Sequence, residues 1–310
     1  MGDDLITLDT ELTDIAPALI ESDAIANAEK LRVFRPLIGA RGIRDLTGTG
    51  QSSSVPQVPA ITLASTTEAT NDTAMAYNPT VRTFTPVTYG GTIVVSWEGD
   101  EASAPDVKAM IAESAAAAFV AREDEDTTVG FCTLYSEPSA ANDIGADGVN
   151  LSAANIRTVQ KVLSDAGAHR PYNCVLDPGQ VMQLFADSDA KQYMMNTKAG
   201  AMVYAATTGV AMDRFVGEIY GVYIWQASSM MTSTGFHGLA FGQNALGIGY
   251  KRIATPESPT LSELNLDIGW DRRSRAWECV ITCSQNPTGI AFTETTNDWL
   301  VNVISEDPDE

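Results

Sequence analysis

Four consecutive acids form the densest group of chemically capable side chains in this 310-residue chain: Glu123, Asp124, Glu125 and Asp126. They follow the small-residue stretch "AMIAESAAAAFVAR", which predicts a helix. Adjacent residues of a helix point to different sides, so only Glu123 and Asp126 could share a face. Two carboxylates are few for a hard cation, which takes about six or more oxygen ligands. We therefore expect a solvated or partner-contacting helix end rather than a metal site.

The helix that carries these acids is expected to run from Pro105 to about Thr128, with Ser103 as its N-cap. Acids at a helix C-terminus are disfavoured by about 0.3–1 kcal/mol, so a cation from another segment or subunit should approach them. Helical spacing predicts one packing stripe on this helix, made of Val107, Met110, Ile111, Ser114, Ala118 and Ala121.

Other catalytic signatures are absent from the sequence. His169 and His237 both lie in turn-like contexts without the spacing of metal ligands. There is no GxSxG motif and no Walker motif, and the "GTG" at 48–50 does not lead into a helix. We therefore predict no catalytic, cofactor-binding or metal-binding residue, and no enzyme activity.

The four cysteines are expected to be free thiols, as in a reducing cytoplasm. Only Cys279 and Cys283 are close in sequence, within "AWECVITCSQ", which predicts a strand. In a strand these two residues share a face but lie roughly 13 Å apart. A disulfide needs Cα atoms within about 7 Å.

The charge balance narrows the classes of partner. The chain has 40 acids and 19 Lys and Arg, for a net charge of −21. Such a chain repels polyanions, so sequence-specific binding of nucleic acid is not expected. The beginning, "MGDDLITLDTELTD", lacks the features of a signal peptide, and no apolar run approaches the roughly 20 residues of a membrane helix.

The first third of the chain predicts an arm, with one short helix around Ser22 to Arg32, followed by an extended loop. Strands are expected in "TVRTFTPVTY" and "GTIVVSW", which meet at Gly90-Gly91 as a hairpin or as one bulged strand. Neither the arm nor the loop has enough apolar residues to fold alone, so neighbouring copies should cover them.

The middle of the chain predicts alternating helices and strands. The stretch "SAANIRTVQKVLSDAG" predicts a helix that is capped by Ser152 and ends at Gly167. The stretch "YNCVLDP" predicts a buried strand, and Pro178 indicates the start of another helix. Lys191 to Met212 shows no clear period and predicts an exposed or partner-covered loop. A bulge or tight turn is expected at Gly221, and turns between later strands at Gly247 to Gly249 and at Pro256 to Pro259.

Two stretches carry a resemblance to a known family: "FTPVTYGGTIVVSWEGDEASAPDVKAMIAESAAAAFVAREDEDTTVGF" and "NIRTVQKVLSDAGAHRPYNCVLDPGQVMQLF". In order and character they resemble the tailed-phage major capsid protein of HK97-like fold, over about residues 80–285. The first is similar to the end of the E-loop and the spine helix, and the second to the axial domain. The resemblance implies an α+β fold with five segments: an N-terminal arm (1–50), an E-loop (51–98), a spine-helix peripheral (P) domain (99–150), an α/β axial (A) domain (151–249), and returning strands with a tail (250–310).

What the resemblance implies about function is a structural role. Pentamers and hexamers would build an icosahedral shell around viral double-stranded DNA, with scaffold, portal and cement proteins as further partners. The shell would assemble in the host cytoplasm and form part of the virion, without a cofactor or a membrane. Two alternatives stay open, an encapsulin-type nanocompartment and a secreted β-rich adhesin or carbohydrate-binding protein. The residues expected to contact neighbouring subunits are Arg32, Arg35, Arg41, Arg44, Glu123, Asp124, Glu125 and Asp126.

Overall fold

Two large β-sheets, one small two-stranded sheet and one long helix organise the described residues. The computed structural model describes residues 24–25, 27–28, 31–38, 43–47, 52–57, 80–96, 107–133, 143–197, 199–227, 235–243, 245–253, 261, 263–271, 276–289 and 299–306. The predicted N-cap Ser103 and the predicted bend at Pro256 to Pro259 lie outside these residues. The described residues between 24 and 31 are helical, as the sequence predicts for the arm.

The strands and helices are numbered in chain order. The helices are α1 (Phe34–Leu37), α2 (Val107–Thr133), α3 (Ala153–Asp165), α4 (Pro178–Ala186), α5 (Ser188–Met195) and α6 (Ala199–Thr207). The strands are β1 (Ile43–Asp45), β2 (Ser53–Gln57), β3 (Thr80–Phe84), β4 (Val87–Ser96), β5 (Asp143–Gly145), β6 (Tyr172–Leu176), β7 (Phe215–Ile219), β8 (Val222–Gln226), β9 (Phe236–Phe241), β10 (Leu246–Tyr250), β11 (Leu264–Asp271), β12 (Ala276–Gly289) and β13 (Leu300–Ser305).

A six-stranded mixed sheet has the order β5-β13-β9-β6-β8-β7. Strand β6 is buried along its whole length, because it lies between β9 and β8 inside the sheet. Helices α3 and α4 pack against this sheet through buried residues such as Ile156 and Leu184. The predicted helix between Ser152 and Gly167 is confirmed, and so are the buried strand and the helix that starts at Pro178.

The region from Lys191 to Met212 is not the loop that the sequence predicts, because it contains the end of α5 and all of α6. The buried face of α6 consists of Ala201 and Ala205. Two alanines one helical turn apart give almost no hydrophobic contrast, so the helical period is invisible in the sequence.

Strands β7 and β8 form a hairpin whose turn is Tyr220-Gly221. Both residues have positive φ, at 52° and 78°, as a two-residue hairpin turn requires. The predicted tight turn at Gly221 is confirmed. The predicted turn at Gly247 to Gly249 is wrong: this segment is buried inside β10, which pairs with β1 on one side and β12 on the other.

A second sheet has the order β1-β10-β12-β11, and β4 lies along the other side of β12. Gly90 and Gly91 lie inside β4, and its register with β12 is continuous over ten residue pairs. The predicted hairpin or bulge at these glycines is therefore wrong. The chain is interrupted instead at Thr85-Pro86, between β3 and β4, where proline supplies no N–H for a ladder.

Candidate functional site

The long helix α2 packs on β12 and spans about 40 Å at 1.5 Å per residue. Its buried face is Ala115, Ala116, Phe119, Val120, Glu123, Asp124 and Thr127. The predicted stripe is therefore wrong, since Met110 is 55% exposed and Ser114 and Ala118 are also exposed. The true face includes two carboxylates, so a search for apolar periodicity could not find it.

The four acids do not end the helix, because α2 continues to Thr133, seven residues after Asp126. The expected penalty for negative charge at a helix C-terminus therefore does not apply, since that effect is confined to the last turn. Thr127 supports the helix here by donating its hydroxyl to the Glu123 carbonyl at 2.6 Å.

The acids point in different directions, as helical geometry predicts. Glu123 and Asp124 are buried, at 1% and 4% exposed, while Glu125 is exposed and Asp126 is half-buried. The expectation of a solvated helix end is therefore wrong for the first two acids.

An ionic cluster buries Glu123 against the N-terminal segment. We define the ionic cluster as Arg32, Arg35, Glu123 and Glu263. Arg32 Nε lies 3.4 Å from Glu123 Oε2, and Arg32 Nη2 lies 3.3 Å from Glu263 Oε2. Arg35 binds both carboxylate oxygens of Glu263 with its two terminal nitrogens, one of them at 2.9 Å. The cluster thus connects three segments that are far apart in sequence.

Aromatic rings hold the two arginines in place. The Arg32 guanidinium lies 5.0 Å from the centre of the Phe119 ring, and the Arg35 guanidinium lies 4.4 Å from that of Tyr250. Such cation–π contacts stabilise a cation more strongly when water is excluded. Arg32 is only 7% exposed, so these partners replace most of the water around its side chain.

Burial affects the carboxylates of the cluster differently. It raises the pKa of Glu123, although the charges of Arg32 and Arg35 oppose this shift. Burial also acts to raise the pKa of Glu263, but the hydrogen bond from Arg35 and the positive charges outweigh it, so this pKa is lowered. Oxygen Oε1 of Glu123 accepts no hydrogen bond within the described part of the chain. Glu263 is therefore the better-stabilised anion.

Asp124 lies next to the cluster in a more unfavourable position for a charge. Burial raises its pKa well above the usual range, and the negative charge of Glu123 adds to the effect. Arg214, Arg32 and the backbone N–H of Phe34 act in the opposite direction. Asp124 thus faces both the N-terminal segment and the short 3₁₀ turn at Met212–Arg214.

The outer side of α2 has an ion-pair group of its own. Arg122 lies 2.7 Å from Asp126 Oδ1 and donates to Glu125 Oε2 at 3.0 Å. Its guanidinium also lies 4.5 Å from the centre of the Tyr89 ring on β4. This group connects the helix to β4 at a partly solvated surface, where ion pairs are weak.

The structure brings together four of the eight predicted contact residues, Arg32, Arg35, Glu123 and Asp124, but within one chain. Arg32 and Arg35 therefore pair with acids of their own chain and not with acids of a neighbouring subunit. Arg41 lies outside the described residues, and of Arg44 only the backbone in β1 is described. Sequence reasoning missed Glu263, which lies 231 positions from Arg32 and has no local signal.

The described residues give little support for a metal site, a reactive thiol or a membrane-spanning helix. They contain no group of three or more His, Cys, Asp or Glu that could hold a metal ion. Cys174 and Cys283 are buried free thiols, and burial raises the pKa of Cys283 to about 11. Within the described ranges no helix combines the length and the apolar character that crossing a membrane requires.

Comparison with known proteins gives matches only in structure. No family model matches the chain, and no curated protein does. The capsid of Ralstonia phage GP4 matches with a TM-score of 0.68 at 13% identity, covering 91% of this chain and 93% of that chain. The head structure of Helicobacter pylori bacteriophage KHP40 gives 0.60 at 13% identity, covering 89% and 90%. The acid-stable capsid of Helicobacter pylori bacteriophage KHP30 gives 0.57 at 14% identity, with the same coverage.

These matches extend over nearly the full length of both chains, and at such low identity they concern the fold. The mixed helices and sheets of this chain agree with them, so the predicted fold class is confirmed. The chain has the α+β, HK97-like fold of phage capsid structures.

Proposed function

We propose that this protein is the major capsid protein of a tailed phage. Its copies form pentamers and hexamers, and these build an icosahedral shell that encloses double-stranded DNA. The role is structural and not enzymatic. The protein belongs to the virion, and its shell assembles in the host cytoplasm with scaffold, portal or cement proteins as possible further partners.

One observation carries the proposal: the fold matches phage capsid chains over about nine-tenths of both lengths. Coverage of this extent is far larger than any single helix or sheet of the chain. The net charge of −21 agrees with a shell wall that encloses DNA without gripping it. An extracellular adhesin has no comparable support.

We assign the domains by the sheets they contribute to. The long helix and the five-stranded sheet form the P domain, and the six-stranded sheet forms the A domain. Strands β5 and β13 lie in the six-stranded sheet although they come from residues 143–145 and 300–305. The A domain therefore gains β5 and β13 beyond the predicted 151–249. By the same criterion the P domain gains β10 and also β4, which lies within the predicted E-loop (51–98).

The eight residues predicted to contact neighbouring subunits differ in how accessible they are to such a neighbour. Arg32, Arg35, Glu123 and Asp124 are occupied within the chain, so any role between subunits is indirect. Glu125 and Asp126 pair with Arg122 of the same chain at a partly solvated surface, so they remain direct candidates beside Arg41 and Arg44.

Self-assembly of the purified protein tests the function. Size-exclusion chromatography and electron microscopy should show rings of five and six copies, or closed shells, with or without a scaffold protein. A protein that stays monomeric at high concentration under both conditions would rule out the capsid role. Shells isolated from infected cells should contain DNA, whereas an enzyme cargo would favour the nanocompartment.

A further inference from the structure

Among the described strands, β4 lies at an edge of the five-stranded sheet. Its ten residues, Val87–Ser96, pair with β12 on one side in unbroken register. No strand among the described residues pairs with its other side. The sequence of β4, "VTYGGTIVVS", has no charged side chain. The backbone N–H and C=O groups along the outer side of an edge strand can bind another strand.

The remaining edges of the two larger sheets are protected in the ways that proteins commonly use, by short length, by charge or by irregularity. Strands β1 and β5 have three residues each. Strand β7 has an acid and a register shift between Phe215 and Gly217. The charged residues on these edges are Arg44 and Asp45 in β1, Asp143 in β5, Glu218 in β7, and Asp267 and Asp271 in β11.

The outward side chains of β4 also fit a strand partner. Tyr89 and Ile93 pack towards the long helix, while the alternate residues Thr88, Thr92 and Val94 are exposed, Val94 at 60%. Threonine and valine are favoured in strands because their branched side chains pack well on a pleated surface. The outer edge of β4 is thus uncharged and rich in residues that favour pairing.

We propose that β4 pairs antiparallel with β4 of a second copy of this chain, about a two-fold axis close to Thr92. Each copy carries a net charge of −21, so copies associate most easily where the contact brings no acids together. Because β4 is uncharged, two copies of it can pair without bringing like charges together. A two-fold pair also covers both edges at once and leaves none for further growth.

The symmetry fixes what the pair looks like. An axis perpendicular to the sheet places residues of the same face opposite each other, with Thr92 opposite Thr92 and Gly90 opposite Val94. The two five-stranded sheets become one continuous sheet, and both long helices lie on the same side of it. This pairing is one contact between subunits of the proposed shell. It rests on the proposed function only because it needs a second copy of the chain.

Cysteine cross-linking tests the pairing directly. In a register centred on Thr92, T92C should form a covalent dimer under oxidising conditions, visible on a non-reducing gel. V94C is the matched control, because the two copies of residue 94 would lie about 13 Å apart along the strands. Linkage by V94C but not T92C, or by neither, would overturn the proposal.

A charge on the edge provides the second test. T92K should weaken association between unassembled subunits at least about tenfold in sedimentation, since two lysines would face each other across the axis. V149K, at a residue that is 53% exposed in a turn away from β4, should leave association unchanged. Circular dichroism checks that both variants fold. Equal association of T92K and V149K would contradict the pairing.

The outcomes separate this contact from the proposed function. Shells that form normally with T92K and show no T92C link would contradict the β4 pair and leave the capsid role intact. T92C dimers that never progress to rings or shells would support the pair and contradict the capsid role.

Discussion

The six-stranded sheet and the long-helix region both bury polar side chains, but they satisfy them differently. In the sheet region, Gln180 is fully buried, and its amide donates to the carbonyls of Phe236 and Val303 at 3.1 and 3.0 Å. Its Oε1 accepts from the backbone N–H of Asp177 at 3.3 Å. The neutral amide of Gln180 thus forms hydrogen bonds with backbone groups of fixed position. Its burial costs little free energy, because these bonds replace the hydrogen bonds that it would make to water.

In the long-helix region the buried polar groups are charged. Glu123 depends on Arg32, and Arg32 depends in turn on Glu123 and Glu263. A buried charge that loses its partner is far more costly than a neutral group that does so. The difference suggests that the sheet region is held by packing, while the docking of the N-terminal segment on α2 depends on charge.

The largest effect is expected in the core of the sheet region. Trp225 is fully buried, packs against Phe215, and donates its indole N–H to Asn173 Oδ1 at 3.2 Å. Trp225→Ala should reduce the free energy of unfolding by about 4 kcal/mol, because it leaves a large cavity. Urea unfolding of unassembled subunits measures this. Val203→Ala, at a residue that is 65% exposed on α6, should change it by no more than about 0.5 kcal/mol.

The next effect tests whether charge holds the long-helix region. Arg32→Met or Glu123→Leu alone should each cost about 3 kcal/mol, because each leaves a buried charge without its partner. The double variant should cost less than either, since apolar side chains of similar volume then replace the pair. A double-mutant cycle by urea unfolding measures the coupling.

Glu125→Gln on the same helix is the matched control for this cycle. Glu125 pairs with Arg122 at the surface, where the two side chains are 51% and 40% exposed. Its substitution should change the free energy of unfolding by about 0.5 kcal/mol or less. Additive costs in the Arg32 and Glu123 variants would show that charge pairing does not hold this region.

The same contrast explains how far the sequence predicts the structure. In the sheet region, apolar periodicity and turn residues are local signals, so α3, β6, α4 and the turn at Gly221 could be predicted. In the long-helix region, the buried face of α2 includes Glu123 and Asp124, and their partners come from distant segments. No local pattern indicates that Glu263 meets Arg35, because only the tertiary fold brings them together.

The pH dependence of stability should differ in sign between two acids of the long-helix region. Asp124 has a raised pKa, so above about pH 4 the unfolded chain loses a proton that the folded chain keeps. Its contribution is therefore present at low pH and is lost as the pH rises through the folded pKa. Glu263 has a lowered pKa, so its contribution is present above its unfolded pKa and is lost as the pH falls through its folded pKa.

Two isosteric variants separate these contributions. Relative to the unsubstituted protein, D124N should gain stability as the pH rises from about 4 to about 8. E263Q should lose stability only over the lowest part of this rise, up to about pH 5, because there the protein with Glu263 gains from the paired carboxylate. Urea midpoints measured across this range check both trends. Parallel curves for the two variants would contradict the assigned shifts.

The smallest effect is expected in the sheet region, at Asp187. The carboxylate of Asp187 binds backbone N–H groups, whereas the carboxylates of the ionic cluster bind guanidinium groups. The sequence assigns Ser152 as the cap of α3, and Ser152 does occupy the N-cap position, but its hydroxyl contacts the side chain of Asn155. The first N–H of α3, from Ala153, donates instead to Asp187 Oδ2 at 2.8 Å. The other oxygen of Asp187 accepts from the N–H of Asp189 at 3.0 Å, so one carboxylate caps both α3 and α5.

Asp187→Ala should therefore cost about 1 kcal/mol, the usual effect of losing an N-cap, while Ser152→Ala should cost clearly less. The same urea experiments can resolve this difference, and circular dichroism should show fraying of α3 only in the Asp187 variant. The reverse order would mean that Ser152 caps α3 in solution. If the order holds, the strongest local capping signal in this sequence identifies where the helix begins but not the side chain that satisfies its first N–H, since that side chain comes from the junction between α4 and α5.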